Sequence, residues 1–281
     1  MKYKLTIICP GIRTKNWERL YRSIDKSFSG SWEIIFIGPY DIPADMKKKL
    51  ADEGRTNFRY IYDMGSPIRC QQIGLVQSEG EWINWAADDG YFLDGALDVG
   101  FKKMEDFNLS SEGEAQGVPP YKVVVMGKYY EGNNDGEMPM QENKYYVLSN
   151  HDASRSPNIP AHYFMLNVGL VSREVLFEIG GWDAHSFQVC PMAYNDCAVR
   201  LQNHGCKFLI QDEMMFTCSH LPGLQGDHGP IHCAQVYKDQ PMFTKIYRDP
   251  ESAQRIHIDL NNWQNAPAHW EMRFGKAPAT T

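Results

Sequence analysis

Residues 80–90 read Gly80-Glu81-Trp82-Ile83-Asn84-Trp85-Ala86-Ala87-Asp88-Asp89-Gly90. The apolar run at 81–87, rich in Trp and Ile, predicts a buried β-strand. It ends directly in two adjacent carboxylates and a glycine. Acids at the end of a buried strand project into whatever crevice the sheet edge forms. The same Asp-Asp-Gly sequence is also a common turn signal.

Working outward, strand and helix signals alternate. A strand at 4–9 closes in Pro10-Gly11, and Thr14 caps a helix to about 28 with Trp17, Leu20, Tyr21 and Ile24 at helical spacing. A strand at 32–37 ends in Gly38-Pro39, a lysine-rich helix covers 43–53, a strand covers 58–62, and a helix covers 67–78. Strands separated by helices imply right-handed crossovers and a mostly parallel α/β sheet with helices on both faces. Ligands of such sheets sit beyond the carboxyl ends of the strands. Pro10-Gly11, Gly38-Pro39 and Asp88-Asp89 all fall on that edge. Paired carboxylates there suit Mn²⁺ or Mg²⁺, hard cations shared with a diphosphate.

Further on, 110–120 and 131–140 read as loops, and 145–148, 162–166 and 168–172 as β-type segments. Helices follow at 173–179 and 195–204, then strands at 207–210 and 214–218. Residues 219–241, with their histidines, glycines and prolines, read as a loop or lid.

Two blocks of this sequence resemble the family 2 glycosyltransferases of the GT-A type. The first is Ser66-Pro67-Ile68-Arg69-Cys70-Gln71-Gln72-Ile73-Gly74 with Ser78-Glu79-Gly80 through Asp88-Asp89, where Arg69, Gly74, Gly80, Ile83 and the acidic pair match the family pattern. The second is Gly180-Gly181-Trp182-Asp183, then Asn195-Asp196 through Arg200-Leu201 and Gly205-Cys206-Lys207, where Asp196, Arg200, Gly205 and Lys207 match. Ala87 stands where the family often has its first Asp, and Ala193 and Tyr194 stand in place of its usual Glu-Asp pair.

The resemblance implies a Rossmann-like GT-A sheet and transfer of a sugar from a nucleotide-sugar donor, with uridine as the leading base. It implies inversion and dependence on Mn²⁺ or Mg²⁺. By the same likeness, Pro10, Gly11 and Arg13 would contact base or phosphate, joined by Asp41, Arg69 and Asp88. Asp89 would lead metal binding, with His220 as a further ligand from the C-terminal region. Asp196 would take the acceptor proton, since inverting transfer needs a base, and Asp183 would stand on the acceptor side with Trp182 packing under the sugar. Asp196 also suits a helix cap, and Asp183 a turn. His228 or His232 would touch the diphosphate from a closing lid or simply be exposed. A zinc site from Cys218, His220, His232 and Cys233 has the right ligand types but no common spacing.

The expected organisation is a GT-A catalytic domain over 1–218, with a nucleotide-sugar half (1–107) and an acceptor half (121–218), followed by a C-terminal lid and helical tail (219–281). Composition fits a globular chain: 281 residues, 43% hydrophobic and 22% charged. A net charge of −7 disfavours a surface built mainly to grip nucleic acid. Seven cysteines, an odd number, fit reduced thiols and a cytoplasmic location. No apolar run approaches the roughly 20 residues of a membrane span. The acceptor (saccharide, lipid, protein or modified nucleobase) stays open. Other readings are a nucleotidyltransferase, a catalytically inactive nucleotide-sugar binding module, and a phage-type glycosyltransferase acting on modified DNA bases.

Overall fold

The computed structural model describes residues 1–132, 141–143, 147–149, 162–164, 166–219, 228–249 and 254–274. The first half alternates as expected: β1 (Tyr3–Pro10), α1 (Trp17–Ser27), β2 (Trp32–Gly38), α2 (Ala44–Asp52), β3 (Phe58–Tyr62), α3 (Pro67–Gln77), β4 (Gly80–Trp85), β5 (Gly90–Phe92) and α4 (Ala96–Asn108). A short helix α5 (Ser111–Gln116) occupies the expected loop at 110–120, because Ser110 caps it by accepting from the Gly113 N–H at 3.0 Å. Then come β6 (Val123–Gly132), β7 (Gln141–Asn143), β8 (Val147–Ser149), β9 (His162–Phe164), β10 (Gly169–Ser172), α6 (Arg173–Ile179), α7 (Cys190–Asn203) and β11 (Lys207–Ser219).

The main sheet runs β3-β2-β1-β4-β10-β6-β11-β5, with β7 pairing antiparallel to the last part of β6. Strands β3, β2, β1, β4, β6 and β11 point one way, while β10 and β5 are reversed. The sheet is Rossmann-like and mostly parallel. Alternate residues feed two cores: Ile8, Ile35, Ile37, Ile83 and Trp85 face one layer of helices, and Leu5, Ile7, Ile34, Phe36 and Trp82 the other. β2 is buried along its whole length, which is why it reads as a continuous apolar run. On one face, α1 lays Trp17 flat on Phe36, with ring centroids 4.3 Å apart.

Three expectations are corrected. α7 begins at Cys190 rather than 195, because Pro191 suits a first helical turn, so Asp196 lies inside the helix and not at its cap. The two segments at 207–218 are one strand with a register irregularity between Ile210 and Phe216. The expected loop at 219–241 is helical from residue 228: α8 (His228–Ala234), a π-helical turn (Gln235–Asp239) and α9 (Gln240–Arg248) follow one another.

The C-terminal segment ends in α10 (Glu271–Phe274), and its Ile256, Leu260, Trp263 and Ala266 pack on the core. No described helix is long and apolar enough to cross a membrane.

Candidate active site

A cavity of about 290 Å³ opens at the carboxyl edge of β1, β2 and β4. Pro10, Gly11, Ile12 and Arg13 line it from the loop after β1, Gly38 and Pro39 from the end of β2, and Ala86, Ala87, Asp88 and Asp89 from the end of β4. Trp85, Tyr129, Asn167, Cys190 and Tyr194 also line it, together with His228, Trp270, Arg273 and Phe274.

Backbone meets backbone at the floor. The Gly11 N–H donates to the Ile37 carbonyl at 2.9 Å, and a Cβ on Gly38 would lie 2.1 Å from the Gly11 carbonyl oxygen. Only glycine at 38 lets the β1 loop cross the end of β2 this closely.

The two acids have different surroundings. Asp88, 2% exposed, accepts from the Ile12 N–H at 2.6 Å and from the Arg13 N–H and guanidinium at 2.5 Å each. It braces the β1 loop. Asp89 has one oxygen 3.8 Å from the Arg13 guanidinium and 3.5 Å from His228 Nε2. His228 Nδ1 has no hydrogen-bond partner among the described residues. Carboxylate, guanidinium and imidazole thus meet at one end of the cavity.

Thiol and phenol groups on the wall are held neutral. Burial pushes the Cys190 thiol up to about 11 and raises the Tyr194 phenol well above its ordinary value. Neither is set up as an anionic nucleophile near neutral pH. At the same wall, Tyr194 donates to Gln71 at 2.8 Å, Asn167 donates to the Tyr129 hydroxyl at 3.2 Å, and the Trp85 indole donates to the Asn167 carbonyl at 2.8 Å.

Of the residues expected at the site, Pro10, Gly11, Arg13, Asp88 and Asp89 converge on the cavity. Asp41, Arg69, Asp183 and Asp196 do not line it. Asp41 is an exposed turn acid that accepts from the Ile42 N–H at 2.7 Å and from Lys47 at 2.6 Å. Arg69 is buried behind the wall, paired to Asp63 at 3.1 Å and bonded to the carbonyls of Ala266 and Trp263. One step along α3 turns the chain by about 100°, so Cys70 lines the cavity and Arg69 faces away from it.

Asp196 is fully buried. Its carboxylate accepts from Arg200 at 2.8 Å, from the Tyr247 hydroxyl at 2.8 Å and from Arg255. Burial alone would raise that carboxyl, but the two arginines outweigh it and hold it below its ordinary value. Asp183 closes a turn by accepting from the Ser186 N–H at 2.9 Å and pairs with the same Arg255 at 3.0 Å. Trp182 lies edge-on to Trp85 at 5.2 Å and is fully buried, so it packs beneath the wall rather than beside a ligand. His220 lies outside the described residues, and so does the zinc set that includes it. His228, which the sequence offered as touching the diphosphate from a lid or simply exposed, lines the cavity, while Tyr129, Asn167, Trp270 and Arg273 carried no decisive sequence signal, because they reach it from distant segments.

No protein-family model matches the chain, and no curated protein is similar to it in sequence. Solved structures are similar in fold. The S. aureus TarS 1–349 structure in complex with UDP aligns with a TM-score of 0.50 at 13% identity, covering 78% of this chain and 61% of that one. The fold is of the GT-A type. The complex of TarS 1–349 with UDP-GlcNAc gives a TM-score of 0.48 at 14% identity, with 80% and 60% covered. This GT-A chain therefore spans about three-fifths of the length of those TarS chains.

Proposed function

We propose that this protein is a glycosyltransferase that moves a sugar from a nucleoside-diphosphate sugar to an acceptor hydroxyl. The observation that carries the reading is the convergence of Gly11, Arg13, Asp88, Asp89 and His228 on one cavity at the carboxyl edge of a GT-A sheet. That edge is where open α/β sheets hold nucleotides. Uridine is the proposed base, supported by the UDP held in the TarS structure of the same fold.

A divalent cation fits this donor set. Asp89 offers a carboxylate and His228 an imidazole 3.5 Å apart on the cavity wall. No cluster of three or more such groups exists among the described residues. Such a site suits Mn²⁺ or Mg²⁺ completed by diphosphate oxygens and water. Bound there, the ion would supply charge neutralisation for the departing diphosphate.

The protein's own residues then do the following. Gly38 lets the β1 loop cross the end of β2, and Gly11 lets Trp17 pack against that loop, which together set the floor of the cavity. Asp88 fixes the β1 loop and the direction of the Arg13 guanidinium. The proposed reaction is a direct displacement with inversion: the bond from the anomeric carbon to the diphosphate oxygen breaks as one to the acceptor oxygen forms, the diphosphate leaves with the electron pair, and the acceptor's hydroxyl proton passes to solvent water. Asp88 is engaged by three N–H donors, and Asp89 sits against the Arg13 guanidinium and the His228 ring. Neither is placed as a covalent nucleophile. Asp196 is withdrawn as the base, because its oxygens are bound by two arginines and a tyrosine inside the core.

That withdrawal also favours a second reading, a module that holds the donor without turning it over. Thermal-shift titration with UDP and Mn²⁺ tests the common claim of donor binding, and a rise in Tm is expected. No rise with any nucleoside diphosphate and either metal would remove both readings. Release of UDP from UDP-sugars then separates transferase from silent binder.

A further inference from the structure

The start of α7 is a crossing point for distant segments. The Gln188 carbonyl accepts from the Ile68 N–H of α3 at 3.3 Å, and the Gln188 side-chain oxygen accepts from the Trp270 indole at 3.3 Å. Val189 packs with Ala234 and Ile231 of α8 and with Trp270. The π-helical turn after α8 sends Asp239 to the same place. Asp239 is fully buried. The Gln188 N–H is shared between its two oxygens at 3.1 and 3.0 Å, and the Val189 N–H goes to one of them at 2.8 Å.

α7 has use for this partner. Its N-cap, Val189, provides no side-chain cap, and Pro191 stands in the first turn. A carboxylate there also meets the positive end of the helix dipole. The π-turn that carries it has a local cause: Pro241, in the first turn of α9, has no N–H to give the turn before it.

Both sides of this clasp line the cavity. α7 presents Cys190 and Tyr194, and α8 presents Ile231 and its first residue, His228, which stands 3.5 Å from Asp89. Resting on the glycosyl-transfer reading, we propose that Asp239 is a positioning residue: it clasps α8 and α9 to the start of α7 and so holds His228 beside Asp89, where a divalent cation and the donor's diphosphate are received. Burial opposes the charge on Asp239 and pushes its carboxyl up to about 7, so above that pH the ionised form destabilises the fold relative to a neutral one. Asparagine at 239 removes that penalty but sets an NH₂ group against the Gln188 N–H in place of one oxygen. Stability and positioning therefore move in opposite directions.

The test titrates UDP with and without Mn²⁺, at about pH 8, against wild type, Asp239→Asn, Asp239→Ser, His228→Ala and the double variant Asp239→Asn with His228→Ala, with Tm measured on each. Asp239→Asn is expected to melt at or above wild type, to lose about tenfold of the UDP affinity gained with Mn²⁺, and to change metal-free UDP affinity less than about twofold. Asp239→Ser should show the same difference between the two UDP titrations. With His228→Ala already in place, Asp239→Asn should add less than about twofold, because both act on one cation site. Equal weakening with and without Mn²⁺, losses that multiply in the double variant, a fall in the Tm of Asp239→Asn, or Mn²⁺ dependence retained in His228→Ala overturns the assignment. Wild type that binds none of UDP, GDP, ADP and CDP overturns the glycosyl-transfer reading itself. Mn²⁺-dependent binding in wild type that Asp239→Asn and Asp239→Ser match overturns Asp239 alone.

Discussion

Arg13 and Asp88, 75 residues apart in sequence, form an ion pair on the cavity wall, Nη1 to Oδ1 at 2.5 Å. The other Asp88 oxygen accepts the backbone N–H groups of Ile12 and Arg13. One side chain thereby ties the end of β4 to the loop after β1, and its neighbour Asp89 is left to face His228.

This division of labour separates the two acids experimentally. Asp88→Asn is expected to cost about 1.5–3 kcal/mol of stability, because charge-assisted bonds to a buried carboxylate are weakened. It should also weaken UDP. Asp89→Asn should cost less stability than Asp88→Asn yet lose the Mn²⁺-dependent part of the UDP shift. Chemical denaturation and thermal shift on the two variants check this. Identical behaviour of the pair would contradict it.

Asp196 is expected to matter for folding rather than turnover. Removing its charge leaves the fully buried Arg200 without its counter-ion and Arg255 with Asp183 alone, a loss on the order of 3–5 kcal/mol. Urea unfolding of Asp196→Asn should show it. The fraction that folds should bind UDP as wild type does. A variant of normal stability with normal UDP binding but abolished turnover would restore Asp196 as a base.

Gly38→Ala is expected to disturb the floor of the cavity. Its Cβ would come 2.1 Å from the Gly11 carbonyl, a backbone atom that cannot swing aside as a side-chain tip can. The β1 loop must move, at about 1–3 kcal/mol, and UDP affinity should fall with stability. Calorimetric titration beside a melting curve measures both. Unchanged UDP binding would mean that the nucleoside does not rest on this crossing.

Asp239 supplies a pH signature. Burial pushes its carboxyl up to about 7, even though the N–H groups of Gln188 and Val189 donate to it and favour the charge. The folded value is raised above the unfolded one, so the folded protein holds the extra proton. Its contribution is complete below about pH 4 and is lost as pH rises toward and through about 7, at no more than about 1.4 kcal/mol per unit. Asp239→Asn should flatten that decline in denaturation midpoints between pH 5 and 8. A wild-type curve that rises through this window, with the variant parallel to it, would count against this account.

The sequence alone determined the sheet and the cavity's floor. Unbroken apolar strands, amphipathic helices such as α1, and the breaks at Pro10-Gly11, Gly38-Pro39 and Asp88-Asp89 are local signals. A parallel sheet brings the ends of its strands to one edge whatever the rest of the chain does. Tertiary structure alone decided which charged side chains face the cavity. Asp196 and Arg69 occupy family-like positions, yet α7 begins at Cys190 and the segment 254–274 folds back onto the core. That return brings Arg255 to Asp196, and the Ala266 carbonyl to Arg69. It also brings Arg273 to the lining of the cavity. A charge's role depends on the partner that reaches it through space. Those partners lie 59 residues from Asp196 and 197 from Arg69 along the chain, beyond the reach of any local pattern.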